Sequence, residues 1–166
     1  DGKSTEHFRG FKQDKMPAAG WEVKDGELRH LAAGGGGDII TREVYGDFEF
    51  ECEWNISERG NSGIIYRVNE LGHSTWASGP EMQILDDARL IDDTRMNQRS
   101  GALYDFIPAK KAAVRPSGEW NHARIVFKDD IVEHWLNGIR VVHYRWSKGW
   151  FRNHIAKSKF AKEPHF

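Results

Sequence analysis

Apolar and polar residues alternate with a period of two over much of this chain, and clusters of Gly, Asn and Asp interrupt the alternation. Successive side chains of a β-strand point to opposite faces, so the pattern predicts antiparallel strands with one apolar face. We predict strands at residues 21–23, 27–31, 38–41, 47–56, 61–68, 80–85, 102–107, 119–127, 131–136 and 139–144.

Two turn signals indicate how neighbouring strands pair. Asp25-Gly26 separates the first two predicted strands, and Asn137-Gly138 separates the last two. Both dipeptides favour the tight turns of antiparallel hairpins. Residues 119–144 are therefore predicted to form a three-stranded meander, and the whole pattern predicts an all-β fold, an antiparallel β-sandwich.

Residues 145–166 break the alternation. Basic residues are interleaved there with Trp and Phe, and we predict a short helix around 154–162. A chain of 166 residues supports one hydrophobic core. We expect a single sandwich domain at 1–144, with 145–166 as a basic and aromatic extension of the same domain.

The charge balance narrows the classes of partner. With 24 basic and 25 acidic residues the formal net charge is −1, so the overall basicity that drives nucleic-acid binding is absent. No apolar run approaches the roughly 20 residues of a membrane span, and the first five residues do not resemble a secretory leader. We expect a soluble chain that binds no nucleic acid; its oligomeric state stays open.

Local motifs for cofactors are weak. The single cysteine, Cys52, alternates with apolar residues and is predicted to be a buried thiol. The eight histidines show no zinc-ligand spacing, and the loop Gly34–Gly37 lacks the residues that follow a phosphate loop. We predict no metal and no cofactor from these motifs.

A group of aspartates leaves one metal open as an alternative. Asp86, Asp87, Asp92 and Asp93 carry oxygen ligands of the kind that calcium takes, although their spacing does not match an EF-hand loop. A solvated polar loop is the simpler interpretation, and calcium remains possible beside it.

The strand at 80–85 carries the first candidate site. Glu81 and Gln83 project from one face, about 7 Å apart along the strand, while Met82 and Ile84 occupy the other face. A carboxylate and an amide side by side suit sugar hydroxyls, so this strand is a candidate floor of a binding cleft. A half-exposed strand of the sandwich is the alternative.

Two further features could belong to that cleft. Glu49, Glu51 and Glu53 share one strand face, where crowding would raise a carboxyl pKa unless cross-strand partners such as Arg42 or Arg67 neutralise it. Trp76 lies among small polar residues, and a flat aromatic ring in such a loop can stack on a sugar.

Six segments, in this order, resemble one known family. They are Tyr45-Gly-Asp-Phe-Glu-Phe-Glu-Cys-Glu-Trp, Gly60-Asn-Ser-Gly-Ile-Ile-Tyr-Arg, Glu81-Met-Gln-Ile-Leu-Asp-Asp, Gly101-Ala-Leu-Tyr, Gly118-Glu-Trp-Asn and Trp135-Leu-Asn-Gly. Together they resemble the 3-keto-disaccharide hydrolase family, formerly the domain of unknown function 1080, over roughly residues 21–144. The resemblance implies a concanavalin A-like jelly-roll sandwich.

The resemblance also implies an activity and a location. Members hydrolyse glycosides already oxidised at C3, and often are exported or lipid-anchored bacterial proteins, so we expect a periplasmic or secreted protein. The C3 ketone acidifies the C2 proton, which a base removes before the glycosidic oxygen leaves C1 and water adds. Such an enzyme needs a base, a donor to the enolate and an acid for the leaving oxygen.

Residue type and position in the matching motifs together suggest roles for eight residues. Glu81 is the expected general acid/base, Arg67 the group that polarises the ketone, and Tyr104 the donor to a leaving or ring oxygen. The expected substrate-binding residues are Gln83, Glu53, Asn61, Asp86 and Trp76.

Two other functions stay open. A non-catalytic carbohydrate-binding module would share the fold without the chemistry. An ordinary glycosidase would pair Glu81 with Asp86, but their odd offset requires a β-bulge.

One family feature falls outside the six matching segments. The family closes with a strand bearing a Gln-Asp-His-Gly motif and with an aromatic-Arg-Asn-Ile ending, and Phe151-Arg-Asn-His-Ile is only a partial match to that ending. We expect the tail to replace that strand, or the chain to be a fragment that lacks it.

Overall fold

The computed structural model of the chain describes residues 2–31, 34–89 and 93–166, and strands dominate it. Ten strands lie in the described ranges, together with one α-helix and short 3₁₀ turns. The strands are β1 Phe8–Gly10, β2 Trp21–Lys24, β3 Glu27–His30, β4 Ile39–Thr41, β5 Phe48–Trp54, β6 Asn61–Ile65, β7 Glu81–Leu85, β8 Asn121–Lys128, β9 Ile131–Leu136 and β10 Ile139–Arg145. The helix α1 spans Lys148–Ile155, and the 3₁₀ turns are Thr75–Ala77, Asp87–Arg89, Asp93–Gln98 and Lys159–Lys162.

All strand pairs are antiparallel. β5, β8, β9 and β10 form a four-stranded sheet in the order β10-β9-β8-β5, while β6 pairs with β7, β1 with β4, and β2 with β3. These pairings confirm the predicted all-β antiparallel sandwich, and the run β8-β9-β10 confirms the predicted meander. The jelly-roll, concanavalin A-like order of strands stays a prediction from the family.

The core lies between the four-stranded sheet and the β6–β7 pair. Alternate residues of both layers point inward, and these are the apolar positions of the period-two pattern in the sequence. The largest fully buried apolar side chains include Met82, Leu103, Ile125, Leu136, Val132, Val141 and Val142. Burying one of the larger of these side chains contributes about 1.5–3 kcal/mol.

A chain of hydrogen bonds crosses this apolar core. His134 is fully buried, with Nδ1 3.1 Å from the carbonyl oxygen of Gly101 and Nε2 2.9 Å from Tyr66 Oη. Tyr66 Oη lies 2.8 Å from Tyr144 Oη. A carbonyl only accepts, so Nδ1 carries the proton, Tyr66 donates to Nε2 and Tyr144 donates to Tyr66. Burial lowers the pKa of His134 to about 4 and therefore keeps the ring neutral.

The outer face of β5 carries the row of glutamates. Arg124 of β8 hydrogen-bonds Glu49 and lies 3.2 Å from Glu51, and His122 lies 3.5 Å from Glu51. The cross-strand pairs are present, with Arg124 and His122 as partners; Arg42, an expected partner, instead donates to two backbone carbonyls. The hydrogen bond from Arg124 lowers the pKa of Glu49. The rise in pKa that crowding of the three glutamates would cause is therefore absent at Glu49.

Two predicted elements differ in the structure. Residues 102–107 form isolated bridges through Leu103 instead of a strand, because tight turns at 104–107 return the chain to Leu103. The helix lies earlier than predicted, at Lys148–Ile155. Ser158 then accepts a hydrogen bond from the Phe160 N–H, which starts a separate 3₁₀ turn in place of a continued helix.

The segment after β10 packs against the sandwich. Phe160 is only 2% exposed, and its ring stacks on Phe106 and Phe166 at centroid distances of 5.6 and 4.3 Å. The side-chain nitrogen of Asn69 donates to the carbonyl of His165 at 3.2 Å. These contacts hold the segment beside the β6–β7 layer.

Candidate active site

Glu81 begins β7 and projects from the face opposite to Met82 and Ile84. Its carboxylate lies over Gly63 of the paired strand β6, because an added Cβ at Gly63 would be 1.9 Å from Glu81 Oε1. The absence of a side chain at position 63 therefore makes the space that the carboxylate occupies.

The environment of Glu81 changes its acidity. Burial raises the pKa of its carboxyl to about 7; the ammonium of Lys159 opposes this rise, and the carboxylate of Asp38 adds to it. A carboxyl with a pKa near 7 can both accept and release a proton at neutral pH. General acid/base catalysis requires such a group.

An amide pair extends this face along β7 and β6. Gln83 is 2% exposed, and its Nε2 donates to Oδ1 of Asn61 at 2.7 Å. Asn61 itself is exposed at the start of β6. The structure thus brings together Glu81, Gln83 and Asn61, three of the residues that the sequence nominated.

Tyr104 reaches the same place from a different segment. Residues 101–104 run along the free edge of β7, where the N–H of Tyr104 donates to the carbonyl of Glu81 at 2.9 Å and the N–H of Gly101 donates to that of Gln83 at 2.8 Å. Tyr104 is half-buried. The backbone ladder therefore fixes the phenol beside the Glu81 carboxylate's strand.

Lys159 from the C-terminal segment also belongs to the site. Its Nζ lies 4.1 Å from the centroid of the Tyr104 ring and 5.8 Å from that of Trp76. Its backbone N–H donates to Oδ2 of Asp105 at 3.1 Å, next to Tyr104 in the chain. The ammonium is thereby held between two of the predicted site residues.

A second carboxylate approaches from the loop before β4. Asp38 accepts a hydrogen bond from the Thr75 hydroxyl and contributes to the raised pKa of Glu81. Gly36, at φ +88°, lets this loop approach the chain closely, since an added Cβ there would lie 2.2 Å from the carbonyl oxygen of Ala19. The Thr75 bond ties the loop to the turn that carries Trp76.

Trp76 lies at the rim of the site. It is 38% exposed, and its ring makes an edge contact with His73 at 5.0 Å between centroids. An exposed ring beside a polar face retains the geometry needed to stack on a sugar.

Lys159 and Asp38 belong to the candidate site but were not predicted from the sequence. Lys159 lies in the segment that broke the strand pattern, and Asp38 follows the glycine-rich loop. Neither residue lies in a motif, and both reach Glu81 only through tertiary packing. The interleaving of lysines with aromatic residues in the tail was the one available signal.

Arg67 lies apart from this cluster. Its guanidinium carbon is 5.1 Å from the centroid of the Phe127 ring and 4.8 Å from that of Trp146. Arg67 has φ +56°, which interrupts the strand alternation after β6 and turns the side chain away from the face it would otherwise occupy. Its contacts are therefore with rings of the other layer, and not with Glu81.

Glu53 also lies away from Glu81. It pairs in register with His122 on the exposed outer face of the four-stranded sheet, across the core from β7. Alternation along β5 points its neighbours Cys52 and Trp54 inward instead. The expectation that Glu53 completes the cleft does not agree with this position.

Asp86 has a structural partner. It is 5% exposed, and its Oδ2 accepts the backbone N–H of Arg59 at 2.8 Å, which holds the turn before β6. The β6–β7 register is continuous from the Ile65–Glu81 pair to the Asn61–Leu85 pair, so this ladder has no bulge to bring Asp86 onto the face of Glu81. Glu81 and Asp86 therefore do not form the carboxylate pair that an ordinary glycosidase would need.

The candidate calcium ligands are only partly described. Asp92 and the side chain of Asp93 lie outside the described residues. Oδ1 of Asp87 accepts the backbone N–H of Ser100 at 2.9 Å, and burial raises the pKa of this carboxyl. Within the described ranges, no group of three or more His, Cys, Asp or Glu side chains is placed to hold a metal.

Two open depressions of the surface lie elsewhere. One of about 720 Å³ is lined by Arg9, Lys12, Gln13, Asp14, Arg42 and Glu70. A second of about 480 Å³ lies beside Trp21 and the N-terminal residues. Glu81 lines neither of these two depressions. No described helix is long and apolar enough to cross a membrane.

Comparison with known proteins identifies the family. The model of the 3-keto-alpha-glucoside-1,2-lyase-like domain, the 3-keto-disaccharide hydrolase family, matches residues 1–164. The chain belongs to this family, which confirms the resemblance found in its motifs. The 3-keto-disaccharide hydrolase of Bacteroides thetaiotaomicron is 35% identical to it over 98% of this chain. The chain spans 63% of the length of that relative.

Solved structures agree with this assignment. A candidate glycosyl hydrolase from Parabacteroides distasonis shares 30% identity and superposes with a TM-score of 0.84, covering 99% of this chain and 78% of that one. Another candidate glycosyl hydrolase from the same organism shares 28% identity with a TM-score of 0.65, covering 88% and 64%. The sandwich described above is therefore a known architecture among such proteins.

Proposed function

We propose that this protein cleaves glycosides whose sugar carries a ketone at C3. The observation that carries the proposal is the carboxyl of Glu81, whose pKa of about 7 suits a proton carrier on a face with Gln83, Asn61, Tyr104 and Trp76. The name of the Bacteroides relative and the lyase-like description of the family support the same chemistry.

The reaction begins at the carbon next to the ketone. The carboxylate of Glu81 takes the C2 proton, and the electrons of the C2–H bond form an enolate through C3 and its oxygen. The enolate then returns its electrons, so that a C1=C2 double bond forms as the C1–O bond breaks. The leaving oxygen takes a proton, and water adds across C1=C2 to give the free 3-keto sugar.

The other residues would bind and orient. The exposed amide of Asn61, which buried Gln83 holds in place through a hydrogen bond to Oδ1, presents hydrogen-bonding groups to sugar hydroxyls, and Trp76 offers a flat apolar surface to the ring. Tyr104 carries a hydroxyl within the same cluster and is our candidate donor to the leaving oxygen. Glu81, once protonated, is the alternative donor.

Replacing Glu81 by Gln tests the proposal. We expect E81Q to lose at least about 100-fold in kcat/KM on 3-keto-trehalose or an aryl 3-keto-glucoside, because the amide cannot take a proton. Release of the leaving group is measured for the keto sugar and, in parallel, for the unoxidised sugar. Wild type should leave the unoxidised sugar intact. The matched control is Glu43→Gln, an exposed glutamate whose carboxylate accepts a hydrogen bond from the Tyr45 hydroxyl.

Two results would count against the proposal. An E81Q protein that keeps wild-type activity removes Glu81 as the base. A wild-type protein that binds the keto sugar and returns it unchanged is a carbohydrate-binding module of the same fold.

A further inference from the structure

The proposed reaction develops a negative charge on the C3 oxygen of the sugar, and a nearby group of the protein must stabilise it. When the C2 proton moves to Glu81, the electron pair it leaves is shared with the C3 oxygen. An enolate oxygen in a partly buried site is costly unless a positive charge or a hydrogen-bond donor faces it. The inference below rests on the proposed function and identifies that group.

Arg67 does not lie in the right place. Its guanidinium packs on Phe127 and Trp146 of the other layer. Lys159 is the cation whose position matches the need, because its Nζ lies beside the Tyr104 ring, 4.1 Å from the centroid, and acts electrostatically on Glu81. The side chain is exposed and can therefore reach a bound sugar.

The backbone of Lys159 is anchored to the catalytic strand. Its N–H donates to Asp105, which follows Tyr104, and the N–H of Tyr104 donates to the carbonyl of Glu81. The next residue, Phe160, is 2% exposed between Phe106 and its neighbours. The ammonium thus extends from a fixed point beside β7, although the segment is distant in sequence.

We infer that Lys159 is a catalytic residue of the keto-sugar reaction, and that its ammonium stabilises the enolate oxygen at C3 formed when Glu81 removes the C2 proton. The charge returns to zero at that oxygen when the C1–O bond breaks, so Lys159 needs to give up no proton. Its role is electrostatic, whereas Glu81 moves the proton.

This arrangement has a consequence for pH dependence. The charged groups that act on Glu81 are Lys159 from the C-terminal segment and Asp38 from the loop before β4. Removing the ammonium removes an influence that lowers the pKa of Glu81, so that pKa rises. The basic form of Glu81 is then reached only at higher pH, and the acidic limb of kcat/KM moves upward.

The first measurement separates proton removal from bond cleavage. The 3-keto derivative of 1,5-anhydroglucitol carries no glycosidic oxygen at C1, so exchange of its C2 hydrogen in D2O, followed by NMR, reports enolate formation without glycoside cleavage. Wild type should catalyse this exchange, and Lys159→Gln should slow it by roughly 100-fold, as the loss of one oxyanion donor does in other enzymes. Lys159→Arg should recover part of the rate because it keeps the positive charge.

The matched control is Lys157→Gln, which removes an exposed lysine two residues earlier in the same segment. It should match wild type in exchange and in kcat/KM on an aryl 3-keto-glucoside. Near-UV circular dichroism of each variant shows whether the segment remains docked through its aromatic rings. With the segment docked, K159Q should also show the upward shift of the acidic limb.

Three outcomes would overturn the inference. In the first, K159Q exchanges and cleaves like wild type. In the second, K159Q loses activity, its near-UV circular dichroism changes and K159R does not rescue it, which would show that Lys159 has a structural role. In the third, wild type neither exchanges nor cleaves, and the proposed function then fails as well. An active wild type with an equally active K159Q would instead remove only the role of Lys159.

Discussion

Gly63 lies beneath the carboxylate of Glu81, and this contact offers a test that leaves Glu81 itself unchanged. A Cβ at position 63 would lie 1.9, 2.6 and 2.7 Å from Oε1, Cδ and Cγ of Glu81, all atoms of one flexible side chain, so that side chain must move and the backbone need not. We expect Gly63→Ala to fold normally while its activity on a 3-keto-glucoside falls by about 10- to 100-fold, since small misplacements of a catalytic group are costly.

The control for this change is Gly46→Ala. An added Cβ at Gly46 meets nothing within 4 Å, and this glycine has no positive φ. Comparing the two variants by kcat/KM and by thermal unfolding separates displacement of the carboxylate from a loss of stability. Equal activity of G63A and G46A would show that the position of Glu81 over Gly63 is unimportant.

His134 makes the stability of the fold sensitive to acid. Its pKa is about 4 in the folded protein and about 6.5 when unfolded, so the unfolded chain binds more protons between these values. The stability from the neutral ring is present above pH 6.5 and is lost as the pH falls to 4. The shift corresponds to about 3 kcal/mol of unfolding free energy.

Urea unfolding at several pH values checks this expectation. His134→Gln keeps a donor for Gly101 and an acceptor for Tyr66 but cannot titrate. We expect the variant to be less stable than wild type at neutral pH and to show a smaller loss of stability between pH 6.5 and 4. Parallel pH curves for the two proteins would show that His134 does not titrate in this window.

The segment after β10 acts as an element of the site as well as of the core. Phe160 anchors it between Phe106 and Phe166, and its neighbour Lys159 lies beside Tyr104. We expect Phe160→Ala to lower the unfolding free energy by about 3 kcal/mol, because a buried ring is replaced by a cavity. Activity should fall further than that of Lys157→Ala, an exposed change in the same segment.

Denaturant unfolding and turnover, measured on the same preparations, decide the point. If F160A loses stability and keeps full activity below its unfolding transition, the segment is structural only. If both fall together, docking of the segment is needed to place Lys159.

The strands were predictable because a half-buried strand imposes a period of two on its own sequence. Asp25-Gly26 and Asn137-Gly138, both with positive φ at each residue, form the predicted hairpin turns. Residues 102–107 failed because isolated bridges and tight turns share the composition of a short strand. The helix in the tail was displaced because the cap at Ser158 interrupts it, which periodicity does not record.

The candidate site was predictable only where its residues share one strand or neighbouring strands. Glu81 and Gln83 follow from alternation, and Asn61 faces them through the β6–β7 register. Arg67 and Glu53 were nominated by residue type and by their positions in the matching motifs, yet a positive φ and the opposite sheet place them elsewhere. Lys159 and Asp38 reach Glu81 through tertiary packing, which no local pattern carries.

The molecule as a whole is a family member in which the β6–β7 pair and the segments packed on it bring the Glu81 carboxyl, an amide pair, two aromatic rings and a lysine together. The central claim is that Glu81 removes the C2 proton of a 3-keto-glycoside. The most direct test uses an aryl 3-keto-glucoside carrying deuterium at C2, incubated in ordinary water and sampled early by mass spectrometry. We expect wild type to release the leaving group with loss of the C2 deuterium to solvent, and E81Q to do neither. Release of the leaving group at the same rate as from the undeuterated sugar, with the deuterium retained at C2, would contradict the account, because direct displacement at C1 leaves the C2 bond intact.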